Sequence, residues 1–208
     1  MEKENFNVFK NFGLTENQHS NLLKRLLHPN GKHKQNLLFL EEFYKIIGID
    51  SEHLGNNKIT VETEVTASEN NKGRADLVIE DGEYTIIIEN KIKDAENQPN
   101  QLYRYWKNLI SLKKREKYKI IYLVRDSKED VDFGSSITKP NNQFYQKKYP
   151  DLPLVIQDDD ILVISYKDDI SDWLKRCLLK IPQTQDNQRL ISTLEQYIEW
   201  IEKWLISK

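Results

Sequence analysis

The run ADLVIEDGEYTIIIENK, residues 75–91, constrains the fold more than any other stretch of the chain. Asp81-Gly82 stands between two apolar segments there, and such a dipeptide is the strongest short-range signal for a β-hairpin. The second segment, Tyr84 to Glu89, is apolar on both faces through Ile86, Ile87 and Ile88, which fits a strand in the middle of a sheet. The first is a strand over 75–80. A sheet covered on both sides needs helices, and the flanking sequence supplies them. Thr15 with Gln18 three residues on has capping-box spacing. Leu22, Leu23, Leu26 and Leu27 then form one apolar stripe, predicting a helix over 15–27 that Pro29 and Gly31 end. Leu37, Leu40, Phe43, Tyr44 and Ile47 predict a second helix over 36–47, with Gly48 at its C-cap.

Ile59, Val61, Thr63 and Val65 alternate with Thr60, Glu62, Glu64 and Thr66, the period of a strand with one buried face. Pro99 suits the first turn of a helix reaching about residue 114. Further strands are expected over 119–124 and 161–165, and closing helices over 168–179 and 188–205. The order of elements makes this an α/β chain: a central mixed β-sheet flanked by helices, with N- and C-terminal helical extensions. We expect one domain over 1–208, with a core of about 15–125. Residues 126–150 read as a loop, whether substrate lid, dimer arm or simply disordered, and 160–208 as the closing strand and helices.

Composition limits the class of partner. The single cysteine, Cys177, rules out an internal disulfide framework. No apolar run approaches the ~18 residues a membrane helix requires, and MEKENFNVFK lacks the apolar core of a signal peptide. A cytoplasmic protein with no membrane partner is therefore expected. The net charge of −2 argues against a chain that coats nucleic acid by bulk charge. By segment, however, it is −5 over 1–90, +7 over 91–148 and −4 over 149–208. A basic band, densest over 107–119, is thus either a local footprint for a polyanion or a solvated helix face.

Charge also interrupts the buried strands, at Asp76, Glu89 and Lys91. A two-residue Asp81-Gly82 loop would set Glu80 against Glu83 and Asp76 against Ile87. Glu89 is then Asp76's diagonal neighbour on the same face, within reach of a shared cation, and Lys91 joins them. Two carboxylates plus water suit Mg²⁺, and a metal so held activates a water against a phosphodiester. The same register sets Arg74 against Glu89, so a plain cross-strand ion pair is the other reading.

These residues, with QLYRY beginning at Gln101, resemble the PD-(D/E)XK nuclease superfamily: Asp76, a strand-turn-strand, then Glu89-Asn90-Lys91. Gln101 and Tyr105 match the Q-x-x-x-Y motif of its RecB-like members, and i, i+4 residues share a helix face. Ala75 stands where the family usually has proline. ENQHSNLLKRLLHPNGKHKQNLLFLEEF, RADLVI and IENKI are also similar to a bacterial branch of uncharacterised specificity.

The resemblance implies a restriction-endonuclease-like fold and a Mg²⁺-dependent nuclease acting on DNA, Mn²⁺ substituting, in defence, repair or mobile-element biology. Asp76 and Glu89 would hold the metal, aided by the Asn90 carbonyl and by Glu16 or Glu64. Lys91 would position the water, with Gln101 and Tyr105 supporting the site. The basic band over 91–148 would track the DNA backbone, and cutting of two strands would favour a homodimer. The alternatives are a non-catalytic DNA- or protein-binding module that retains the fold, and a hydrolase of RNA. His19, His28 and His33 match no compact zinc spacing, although His19 and His33 are candidates to line the cleft. Tyr103, Tyr105 and Trp106 are candidates for base stacking, with Trp106 read as core.

Overall fold

A computed structural model describes residues 6–56, 58–67, 73–92, 98–129, 131–156 and 160–205. Five strands form one sheet in the order β1-β2-β3-β4-β5: β1 Thr60–Thr66, β2 Arg74–Glu80, β3 Tyr84–Lys91, β4 Lys117–Val124 and β5 Ile161–Ser165. The β1–β2 and β2–β3 pairs are antiparallel, and β3–β4 and β4–β5 are parallel. This is a mixed sheet with helices on both faces, as the sequence predicts.

β3 is the middle strand, for the reason its composition gives. Ile86 and Ile88 enter one apolar cluster and Ile87 the other. The first cluster joins the sheet to α2 (Glu16–Leu27), α3 (Leu38–Ile46), α6 (Ser171–Lys180) and α7 (Gln188–Trp200). The second joins it to α4 (Gln101–Tyr105), which continues in wider π-type turns over Trp106–Ser111. α1 (Val8–Phe12), which the sequence reading missed, lies against α7 through Asn7, whose amide donates to the Gln196 carbonyl at 2.8 Å. α2 starts with the expected capping box: the Thr15 side chain accepts from Gln18 N–H, and the Gln18 side chain returns to the Thr15 backbone.

The hairpin differs from expectation by one step. Glu80 pairs with Thr85, Val78 with Ile87, and Asp81 N–H reaches the Tyr84 carbonyl at 3.2 Å. The two central residues are therefore Gly82 and Glu83, with Gly82 at φ 88° taking the left-handed position. Asp81 lies before the turn, fully buried, and accepts from Glu83 N–H, Tyr84 N–H, Tyr44 hydroxyl and His53 Nε2. Those partners explain the shift: Asp81 is consumed as an acceptor and cannot occupy the exposed tip. The slip is even across the pair, so every side chain keeps its face.

The 126–150 stretch is less irregular than its composition suggests. It contains a 3₁₀ turn over Gly134–Ile137 and a short helix, α5 (Gln143–Lys148).

Candidate active site

The observed register brings the acidic residues closer than an Asp81-Gly82 loop would. One step beyond the Leu77–Ile88 pair, Asp76 comes level with Glu89. On the other side, the Thr63–Leu77 and Val65–Ala75 pairs flank a rung at which Glu64 stands against Asp76. Three carboxylates from three neighbouring strands thus lie along one line. At that rung Glu64 has φ 55°, a left-handed conformation that costs a non-glycine residue on the order of 1–3 kcal/mol. Arg74 does not pair with Glu89; its guanidinium lies 3.4 Å from Glu64.

A cleft of about 470 Å³ opens over this rung, lined by Glu16, Glu64, Asp76, Glu89, Lys91, Gln101 and Tyr105, with Asn17, Gly73, Arg74 and Gln98 completing it. The N-terminus of α2 supplies Glu16, the sheet supplies the next four, and α4 supplies Gln101 and Tyr105. Asn90 does not line it. Its backbone N–H donates to Asp76 Oδ2 at 2.7 Å, while its side chain turns to the other face and donates to Ser20 Oγ at 3.1 Å.

The interior of the cleft is a closed polar network. Gln101 Nε2 donates to Glu89 Oε1 at 2.8 Å and to the Tyr105 hydroxyl at 2.9 Å. Tyr105 in turn donates to the Arg74 carbonyl at 2.7 Å. Lys91 Nζ lies 3.1 Å from Glu89 Oε1 and 3.4 Å from Gln101 Oε1. The amide orientation follows from charge, since only its nitrogen donates to a carboxylate and only its oxygen accepts from an ammonium. Glu89 Oε2 is buried and has no hydrogen-bond partner.

Burial first, and then the neighbouring Glu89 charge, push the Asp76 carboxyl up to about 8, against the pull of Asn90 N–H. Burial likewise raises Glu89, opposed by the Lys91 charge. Crowded acids that resist ionising together are arranged for a positive partner. Among the described residues no three His, Cys, Asp or Glu groups form a ready-made metal cage. A cation would rest on two carboxylates and on water, the habit of Mg²⁺. The bare Glu89 oxygen and the raised Asp76 fit a divalent cation.

Several expectations change. His19 is not in the cleft: it is buried on the core-facing side of α2, with Nδ1 2.6 Å from the Tyr197 hydroxyl. His33 lies in the loop after α2, Nε2 3.0 Å from the His28 carbonyl. Tyr103 and Tyr105 are fully buried and hydrogen-bonded, which removes them as base-stacking platforms. Trp106 packs half-buried against the second cluster, as expected. The densest part of the basic band does not face the cleft. Lys107 is buried, Lys113 and Arg115 pair with Glu80, and Lys117 pairs with Glu83, at the hairpin end of the sheet.

A mixed sheet that sets an acidic residue against a Glu-x-Lys strand end, with a Gln-x-x-x-Tyr helix above, is the frame of the restriction-endonuclease-like proteins. A family model of the PD-(D/E)XK nuclease superfamily matches residues 6–199, and the chain belongs to that family. Searches of curated proteins and of solved structures returned no match.

Proposed function

We propose that the protein is a divalent-metal-dependent nuclease acting on DNA, with Asp76 and Glu89 as its metal-binding carboxylates. The observation that carries this reading is the division of labour at Glu89. Oε1 is held by Gln101 and Lys91, while buried Oε2 is unpartnered, and an orphaned buried carboxylate oxygen is costly unless a ligand uses it. When bound, a divalent ion would supply Lewis acidity, lowering the pKa of a water and withdrawing charge from the scissile phosphate.

The side chains define the other roles. Lys91, fixed by Glu89 and Gln101, orients the attacking water by hydrogen bonding and offsets negative charge developing on the phosphoryl oxygens. Gln101 fixes Glu89 and Lys91 relative to each other, and Tyr105 ties Gln101 to the β2 backbone. Glu16 and Glu64 flank the carboxylate pair and would add negative charge around a bound cation. The two cations among the described residues of the cleft, Arg74 and Lys91, are both paired with carboxylates, so its electrostatic grip on a phosphate backbone is weak.

The test is cleavage of plasmid and linear DNA with Mg²⁺, with Mn²⁺ and with EDTA, beside Asp76→Ala and Lys91→Ala. Cleavage that needs the metal and drops at least a hundredfold in both variants is expected. Cleavage that survives both substitutions excludes this site. Metal binding without cleavage of DNA, joined to cleavage of RNA, would move the substrate assignment and keep the site.

A further inference from the structure

A second cavity, of about 500 Å³, lies between the C-terminal half of α2, the loop from His28 to His33 and the first turns of α7. It is not part of the cleft. Glu16 and Asn17 of α2 line the cleft, whereas Arg25 lines this cavity, on the order of 14 Å further along the helix axis at 1.5 Å per residue. Leu22, Leu26, Leu190 and Leu194 form its floor, with Leu26 and Leu194 buried. Lys24, Arg25, Lys32 and Arg189 surround it, and no aspartate or glutamate lines it. Lys24 pairs with Glu62 at 2.6 Å. Arg25, Lys32 and Arg189 are exposed and have no ion pair among the described residues. Cations left uncompensated around an apolar floor are unexpected in a chain with 33 acidic and 31 basic residues.

The wall is built in advance. Asn30 N–H donates to His28 Nδ1 at 3.1 Å, and Gln35 N–H donates to His33 Nδ1 at 3.0 Å. The proton of the neutral His33 ring therefore sits on Nε2, which donates to the His28 carbonyl at 3.0 Å. The Gln35 amide reaches Asn187 Oδ1 at 3.0 Å, tying the loop to the start of α7. Gly31 permits the close packing: a Cβ there would stand 2.5 Å from the Arg25 carbonyl and from the His33 ring. His28 and His33, whose spacing matches no compact zinc motif, thus frame this wall.

The two hydroxyls on the lining are already engaged. Tyr197 hydroxyl pairs with His19 Nδ1, and Thr193 Oγ1 donates to the Arg189 carbonyl at 2.7 Å. A nucleobase, which needs edges to hydrogen-bond with, finds none on a leucine floor. An aliphatic body does not need them.

We propose that this cavity binds a small amphipathic anion, its aliphatic chain on the four leucines and its carboxylate or phosphate head among Arg25, Lys32 and Arg189. The site is independent of the nuclease reading. The reporter is built in, since Trp200 stacks on the cavity residue Tyr197 at 6.1 Å between centroids.

The experiment is a titration of the full chain, followed by tryptophan fluorescence, with decanoate, decyl phosphate, decanol and decyltrimethylammonium below their micelle concentrations. The two anions should bind at least tenfold more tightly than decanol, the ammonium should not bind, and added salt should weaken the anions. Their relative affinity separates an acyl carboxylate from a lipid-type phosphate. The Arg25→Ala/Arg189→Ala double variant should lose tenfold or more with an unchanged melting temperature. Thr193→Trp, which fills the groove from an exposed position, should abolish binding, and Asp76→Ala should bind as the parent does. Equal binding of decanol, undiminished binding in the double variant, or tighter binding of adenosine monophosphate would overturn the proposal.

Discussion

At the scale of single residues, Glu64 joins local strain to the candidate chemistry. Its left-handed φ of 55° sits in the middle of a strand, at the one rung where β1 and β2 skip a pair, opposite Asp76. Glycine adopts that conformation without penalty. Glu64→Gly should therefore stabilise the fold by about 1 kcal/mol while lowering metal-dependent cleavage about tenfold or more. Urea unfolding beside a cleavage assay checks both halves. A less stable variant would show that the conformation is not strained, and full activity would leave Glu64 as a bystander. That Asp76, Glu89, Lys91, Gln101 and Tyr105 share one cleft is legible in the sequence, because their spacing is local to a hairpin and the next helix. The choice between Glu16 and Glu64 was not legible, because it depends on how α2 and β1 reach the rung. The structure lines the cleft with both.

Among the elements, what could be read was what is encoded locally. The capping box of α2 and the two-faced apolar run of β3 depend on neighbours in sequence, and both are found where expected. The turn was misplaced because Asp81 is claimed by Tyr44 and His53, distant partners that no local rule reveals. The basic band misled for a topological reason. β4 runs parallel to β3, so Lys117 is level with Tyr84 and Val124 with Lys91. Its lysines therefore fall at the hairpin end, beside Glu80 and Glu83. The 126–150 stretch is also bound into the fold: Asn100 N–H donates to the Ser135 carbonyl at 2.8 Å, and Leu102 N–H to Ser136 Oγ at 3.3 Å. Ser136 thus caps, from a distance, the helix that carries Gln101, and Asn100, at φ 59°, provides no side-chain cap of its own. Losing such a cap costs on the order of 1 kcal/mol. Ser136→Ala should lower stability by about that amount and slow cleavage more than it weakens substrate binding, whereas Ser135→Ala should do neither. Separate measurement of kcat and KM, with the melting temperature, distinguishes a positioning effect from simple loosening.

Across the whole molecule, the two helical layers meet the sheet through different materials, and this bears on how the fold responds to acid. The layer of α2, α3, α6 and α7 encloses His19, fully buried against Tyr166, Tyr197 and Trp200 at ring distances of 4.9–5.7 Å. Burial lowers its pKa from the ordinary value to about 3. Between that value and about 6.5 the unfolded chain therefore binds a proton at this residue that the folded chain refuses. Its contribution to stability is complete above 6.5 and is lost as pH falls, by up to ~1.4 kcal/mol per pH unit. Asp76 acts in the opposite sense, because its raised pKa makes the metal-free fold the better proton binder between about 4 and 8. The whole-chain profile mixes the two, so the difference between the parent and His19→Gln is the informative quantity. That difference should shrink steadily from pH 7 to pH 5, before the carboxylates with lowered pKa values, such as Glu42 and Asp81, begin to titrate. Urea unfolding at half-unit pH intervals measures it. A difference that stays constant over this range would mean that the buried imidazole takes up its proton within the folded state, and that the layer around it opens to admit water.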